Sequence, residues 1–131
     1  EESMPDWQKM QVGNWTEMVP GPFDTSGTVC ARGTPFSFFV RKGSTDNVVY
    51  EFEGGGACWS KSTCQTTGST FKDTADNTRA AMRKVAQGKR RVSGLADSEG
   101  PYGSWTHVYV PYCTSQSLFP PLSVCLPSTL N

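Results

Sequence analysis

Residues 48–64, VVYEFEGGGACWSKSTC, are the part of the chain whose residue types and spacing could do chemistry. A short apolar strand runs into three consecutive glycines, Gly54, Gly55 and Gly56, and then into a loop carrying Cys58 and Cys64. A glycine gives up more backbone freedom on ordering than any other residue, so a run of them implies close backbone approach or unusual dihedrals. The spacing is not that of a P-loop, which needs G-x-x-x-x-G-K-[ST]. Nor is it a dinucleotide fingerprint, of which GGGACW supplies only the first half. One reading is an oxyanion loop, where two backbone N–H groups point at one developing negative charge and no Cβ obstructs the substrate. The other is a tight turn followed by a surface loop stapled through Cys58 and Cys64, which are close enough in sequence to bridge.

Other chemistry is thinly represented. His107 is the single histidine, and no G-x-S-x-G nucleophile motif occurs anywhere. The cysteines lack the paired short spacings of a structural zinc site, so neither metal nor cofactor is expected. Five cysteines, Cys30, Cys58, Cys64, Cys113 and Cys125, together with the sequon NWT at Asn14, lean toward an oxidising, secretory setting and a candidate glycosylation site. The odd count leaves at least one thiol free or paired outside the chain, and the partners of Cys30, Cys113 and Cys125 are not assignable from spacing. Lys and Arg together number 12 and balance 12 Asp and Glu. That balance gives no electrostatic case for nucleic acid or an anionic membrane as partner. No apolar run is long enough for a membrane span. The basic cluster GKRR, residues 88–91, reads as a solvated helix end or loop.

Several elements must position the glycines. Residues 1–34 are rich in Pro, Gly and polar side chains and read as extended or irregular. Short β-branched and aromatic runs predict strands over 36–41, 48–52 and 107–111. The first two look like a hairpin turning at 42–46, although VVY would equally suit a central strand buried on both faces. The segment after Asp73 predicts a helix over 74–87, capped by Asp73 or Asp76 and stopped by Gly88, with a modest apolar stripe around Met82. Residues 115–131 contain Pro120, Pro121 and Pro127 and no periodicity. Strand, strand, glycine loop, helix and strand is a layered α/β order.

FEGGGACWSKSTC, taken with upstream CARGTPFSFFVRKGS and downstream WTHVYVPYC, resembles the N-terminal part of the pectin acetylesterase and Notum carboxylesterase family. The likeness covers residues 30–114, with three motifs in the family's order. It implies an α/β-hydrolase-fold serine esterase, secreted or vacuolar, that removes acyl groups from glycans or proteins without a cofactor. Carried over, Gly55 and Gly56 match the loop whose N–H groups form part of the oxyanion hole. Gly54 sits at the strand exit, and Ala57 and Trp59 support the loop. Cys58 and Cys64 match a disulfide pair. Tyr112, Cys113 and Thr114 match the end of a central strand, and Trp105 its opening.

The chain departs from that pattern after Thr114, where a helix and the nucleophile motif should follow. His107 lies inside a strand ahead of the nucleophile's place, so its position does not fit the catalytic base. The resemblance therefore implies an incomplete, N-terminal portion of an α/β-hydrolase-like sheet over residues 35–114, preceded by an irregular segment and followed by a non-family tail, 115–131. The chain is expected to be a fragment carrying the oxyanion loop but no catalytic residue. Acetylated polysaccharide or another ester would be its partner only through a full-length relative. The competing expectation is a small secreted, disulfide-containing binding or structural module without catalysis.

Overall fold

The computed structural model describes residues 4–21, 23–65 and 70–114. Strands β1 (Trp15–Met18), β2 (Phe38–Arg41), β3 (Val48–Phe52) and β4 (Thr106–Val110) form one sheet in the order β1-β2-β4-β3. The helices are α1 (Phe23–Ser26), α2 (Lys61–Cys64) and α3 (Asp76–Ala86). β1 and β2 are antiparallel, as are β2 and β4, whereas β3 and β4 run parallel and are joined through α3. This mixed α/β architecture is consistent with an α/β-hydrolase-like fold. Local composition specifies β2, β3, β4 and α3, all of which lie within two residues of their expected bounds.

The expected hairpin is corrected by the structure: β4 lies between β2 and β3. The connection crosses the start of β4 closely enough that Ser44 N–H donates to Ser104 O at 2.9 Å. A Cβ at Gly43 would sit 2.3 Å from Thr106 N, so glycine is what lets the chain pass and lay β3 on the far side. β3 is consequently an edge strand, not one buried on both faces. Its Tyr50 and Phe52 are 63% and 70% exposed.

Residues 1–34, expected as extended or irregular, contribute β1, which pairs with β2 in the register Trp15↔Arg41 to Met18↔Phe38. Four residues between glycines carry too little periodicity to be read alone; the partner strand decides them. Asn14 stands exposed just before β1, its Nδ2 donating to Gln11 Oε1 at 3.2 Å. Neither aspartate caps α3. Ala75 occupies the cap, with no side-chain hydrogen bond there, and Asp73 instead pairs with Arg32 Nε at 3.2 Å. Gly88 (φ +71°) ends the helix as expected, its N–H reaching Val85 O.

Each face of the sheet has its own cover. On one, Met10 packs with Met18, Val40, Phe38 and Val108. On the other, α3 is fastened to β1 through Glu17, which accepts from Ser37 Oγ (2.8 Å), Arg79 Nε (3.1 Å) and Arg83 Nε (2.7 Å). Burial pushes the Glu17 carboxyl up, but the hydrogen bonds from Arg83, Ser37 and Arg79 and the charge of Arg83 outweigh it, leaving its pKa below the ordinary 4.5. A carboxyl depressed in the folded state contributes stability that is complete above 4.5 and is lost as pH falls through the folded value. Urea midpoints should therefore drop in that acid window. Glu17→Gln should cost about 1–3 kcal/mol at neutral pH and remove this part of the acid-side drop, which a pH series on both proteins would check.

Candidate functional site

β3 delivers the chain to the end of the sheet where Phe52 pairs with Val110, and the glycines follow at once. Each has a different surrounding. A Cβ on Gly54 would meet nothing within 4 Å. A Cβ on Gly55 would fall 1.9 Å from Tyr112 Cδ1, so the Tyr112 ring occupies the space a side chain would need. Gly56 has φ +80°, the left-handed region that favours glycine, and its Cβ would lie 2.2 Å from Thr70 O.

The loop is held by its carbonyls. Gly55 O accepts from Lys72 N–H at 2.7 Å, Gly56 O accepts from the Tyr112 hydroxyl, and Ala57 O accepts from Thr70 Oγ1 at 2.6 Å. Gly56 also forms an isolated bridge with Phe71. Among the described residues neither Gly55 N–H nor Gly56 N–H donates a hydrogen bond.

Glu53 fixes where the loop starts. Its Oε1 accepts from Lys72 Nζ (2.6 Å) and Thr78 Oγ1 (2.9 Å), and its Oε2 accepts from Tyr112 N–H (3.0 Å). One carboxylate thus joins β3, α3, the segment after β4 and the strand-to-helix connection. It was not singled out from sequence; its position as the last side chain before the glycines was the available signal.

Downstream, Cys58 and Cys64 are disulfide-bonded, with Cα atoms 5.0 Å apart. Ser60 caps α2, exchanging hydrogen bonds with Thr63 in a capping box. Trp59, expected as loop support, contributes through its backbone: its N–H donates to Thr63 Oγ1 at 3.0 Å while the ring is 72% exposed. Arg32 braces the far side, donating to Cys64 O and Asp73 and lying over the Phe71 ring at 5.7 Å. A second disulfide, Cys30–Cys113, joins the chain ahead of β2 to the end of β4 with Cα atoms 5.1 Å apart. Sequence left that pair unassigned because its members are 83 residues apart. Cys125 and the segment 115–131 lie outside the described residues.

His107 is fully buried, three strand positions from the glycine end of β4, or about 10 Å along the sheet. Its ring lies 5.5 Å from that of Trp15, and Nε2 meets Glu51 Oε2 at 2.9 Å. Burial pulls its pKa below the ordinary 6.5; Glu51 opposes this through its hydrogen bond and charge, and Arg41 adds to it. Tyr109, on the same strand, is pushed up to about 12 by burial and by Glu53 and Glu51, so its phenol stays neutral. The structure does not bring His107 to the glycine loop.

No described helix is long and apolar enough to cross a membrane. The two disulfides are consistent with an oxidising, extracellular setting. Comparison with known families finds that the model described as Pectinacetylesterase matches residues 17–120. No curated protein and no solved structure matches the chain.

Proposed function

The chain belongs to the pectin acetylesterase family, and from that membership we propose that its glycine loop is the oxyanion-hole half of a carboxylic ester hydrolase acting on acetylated glycans. The observation that carries the proposal is the division of labour in the loop: the Gly55 and Gly56 carbonyls are held, while among the described residues their N–H groups meet no acceptor. In acyl transfer such donors stabilise the tetrahedral oxyanion better than the ground-state carbonyl, which is where the rate gain arises. The exposed Trp59 ring beside the loop offers a flat apolar surface suited to a sugar face. An acyl group on a lipidated protein, the substrate type of Notum-like carboxylesterases, would favour an apolar groove over one exposed ring.

The chain has no nucleophile motif, and His107 is buried against Glu51. Acyl transfer needs a nucleophile, a base within hydrogen-bond reach and an oxyanion hole together. By itself this chain is expected to hydrolyse p-nitrophenyl acetate and acetylated pectin no faster than the protein-free blank, with His107→Ala indistinguishable from it. Acetylated pectin fragments are expected to shift the Gly55 and Gly56 amide resonances, and deacetylated fragments to leave them in place. Turnover that disappears in His107→Ala would overturn the half-site reading. Glycan binding that moves Trp59 and leaves both glycines untouched would favour the non-catalytic binding module instead.

A further inference from the structure

A pocket of about 160 Å³ lies at the end of the sheet opposite the glycine loop. Trp15 pairs with Arg41 and Arg41 with His107 near the start of β4, whereas the glycines follow Phe52, which pairs with Val110 at its end. The pocket floor is Arg41, which is only 2% exposed. Its guanidinium lies 5.5 Å from the Trp15 ring, with Nη1 donating to Ala96 O at 2.7 Å and Nη2 to Gly103 O at 3.3 Å. Its Nε is buried with no hydrogen-bond partner.

Two further arginines line the same space, Arg90 and Arg91, from the GKRR cluster that reads in sequence as a solvated helix end. Arg91 meets Asp97 at 3.9 Å through a side chain that is 80% exposed, a weak pairing. Among the described residues Arg90 and Arg41 have no ion-pair partner. Three guanidinium groups therefore share the one carboxylate of Asp97, and the most buried of them, Arg41, has no ion pair of its own: it is met by two carbonyls, the Trp15 ring and the more distant charge of Asp97. Buried charges are ordinarily paired, because the desolvation of an unpaired ion is not recovered elsewhere.

We propose that this pocket is a binding site for a small oxyanion, which sits against the Arg41 side chain and is closed over by Arg90 and Arg91. Guanidinium groups suit such a ligand because their planar N–H pairs match two oxygens at once. The apolar wall of Val85, Val92 and Ala96 lowers the local dielectric and restricts the ligand to a compact anion. Asp97 disfavours anions at the mouth, so the contact falls to the arginine side of the pocket.

The experiment is a titration of the ¹⁵N-labelled chain with inorganic phosphate, sulfate and acetate, each against chloride at matched ionic strength, following the arginine Nε–Hε resonances. A saturable shift of the Arg41 signal with at least one oxyanion and none with chloride is expected. The phosphate, sulfate and acetate arms distinguish a tetrahedral anion from a carboxylate. The double variant Arg90→Ser/Arg91→Ser removes exposed side chains and leaves the fold intact, and should weaken binding by about tenfold or more. An Arg41 signal that no oxyanion moves beyond the chloride control would overturn the proposal. So would equal affinity in the folded double variant.

Discussion

Replacing Cys30 and Cys113 together by alanine is expected to lower the unfolding free energy by about 4–5 kcal/mol, the larger loss of the two disulfides described. The bond closes a loop of 83 residues' separation, which contains β2, β3, α3 and β4, so it restricts the unfolded chain over nearly the whole sheet. In the folded state the two cysteines are 1% and 2% exposed and pack with Ala75 and Phe36. The Ala31 N–H donating to Cys113 O at 2.9 Å extends the same junction. Cys58–Cys64 has a separation of only six, and its double alanine variant should lose about 2 kcal/mol. Since domain stabilities are about 5–15 kcal/mol in all, the first variant should be substantially unfolded under mild conditions and the second should not. Urea unfolding of both variants checks the order. Equal losses would show that chain closure is not what distinguishes the two bonds.

Gly55→Ala is expected to destabilise the chain by about 2–3 kcal/mol, while Gly54→Ala should be nearly neutral. The contrast follows from space. The new methyl at position 55 would overlap the Tyr112 ring, 1.9 Å from Cδ1, and at position 54 it would meet nothing within 4 Å. Moving the ring also disturbs the hydroxyl bond to Gly56 O and the Glu53 contact with Tyr112 N–H. Gly56→Ala should cost at least as much as Gly55→Ala, because its methyl would meet Thr70 O at 2.2 Å in a backbone of φ +80°. Thermal or urea unfolding of the three variants would give the ranking. Similar costs at positions 54 and 55 would contradict the packing described for Tyr112.

What could be read from the sequence is what local pattern determines. Val48–Phe52 is a β-branched and aromatic run ending at glycines, and 76–86 is an Ala, Arg and Lys segment ending at Gly88; both stand close to where their composition puts them. Pairing between distant segments was not legible. Trp15–Met18 becomes a strand because β2 lies beside it, and the hairpin expectation failed because β4, more than 50 residues later in the chain, enters between its two strands. The cysteine pairs divide in the same way: the Cys58–Cys64 bond was readable from spacing, and Cys30–Cys113 needed the fold. At the glycine loop, resemblance marked Gly55, Gly56 and Tyr112. Physical chemistry of the sequence alone could not show that the tyrosine fills the space beside Gly55 and holds the Gly56 carbonyl. Glu53 passed unnoticed because its four hydrogen-bonding contacts come from three separate parts of the chain.

Amide hydrogen exchange in the glycine loop tests most directly whether this chain presents two unspent donors. Gly55 and Gly56 N–H are expected to exchange within about tenfold of the unstructured rate. Lys72 and Tyr112 N–H, which donate to Gly55 O and Glu53 Oε2, should be slowed by about 100-fold or more. Protection of the Gly55 and Gly56 amides equal to that of Lys72 would mean that both donors are already engaged within the fold, and would contradict the oxyanion-loop assignment.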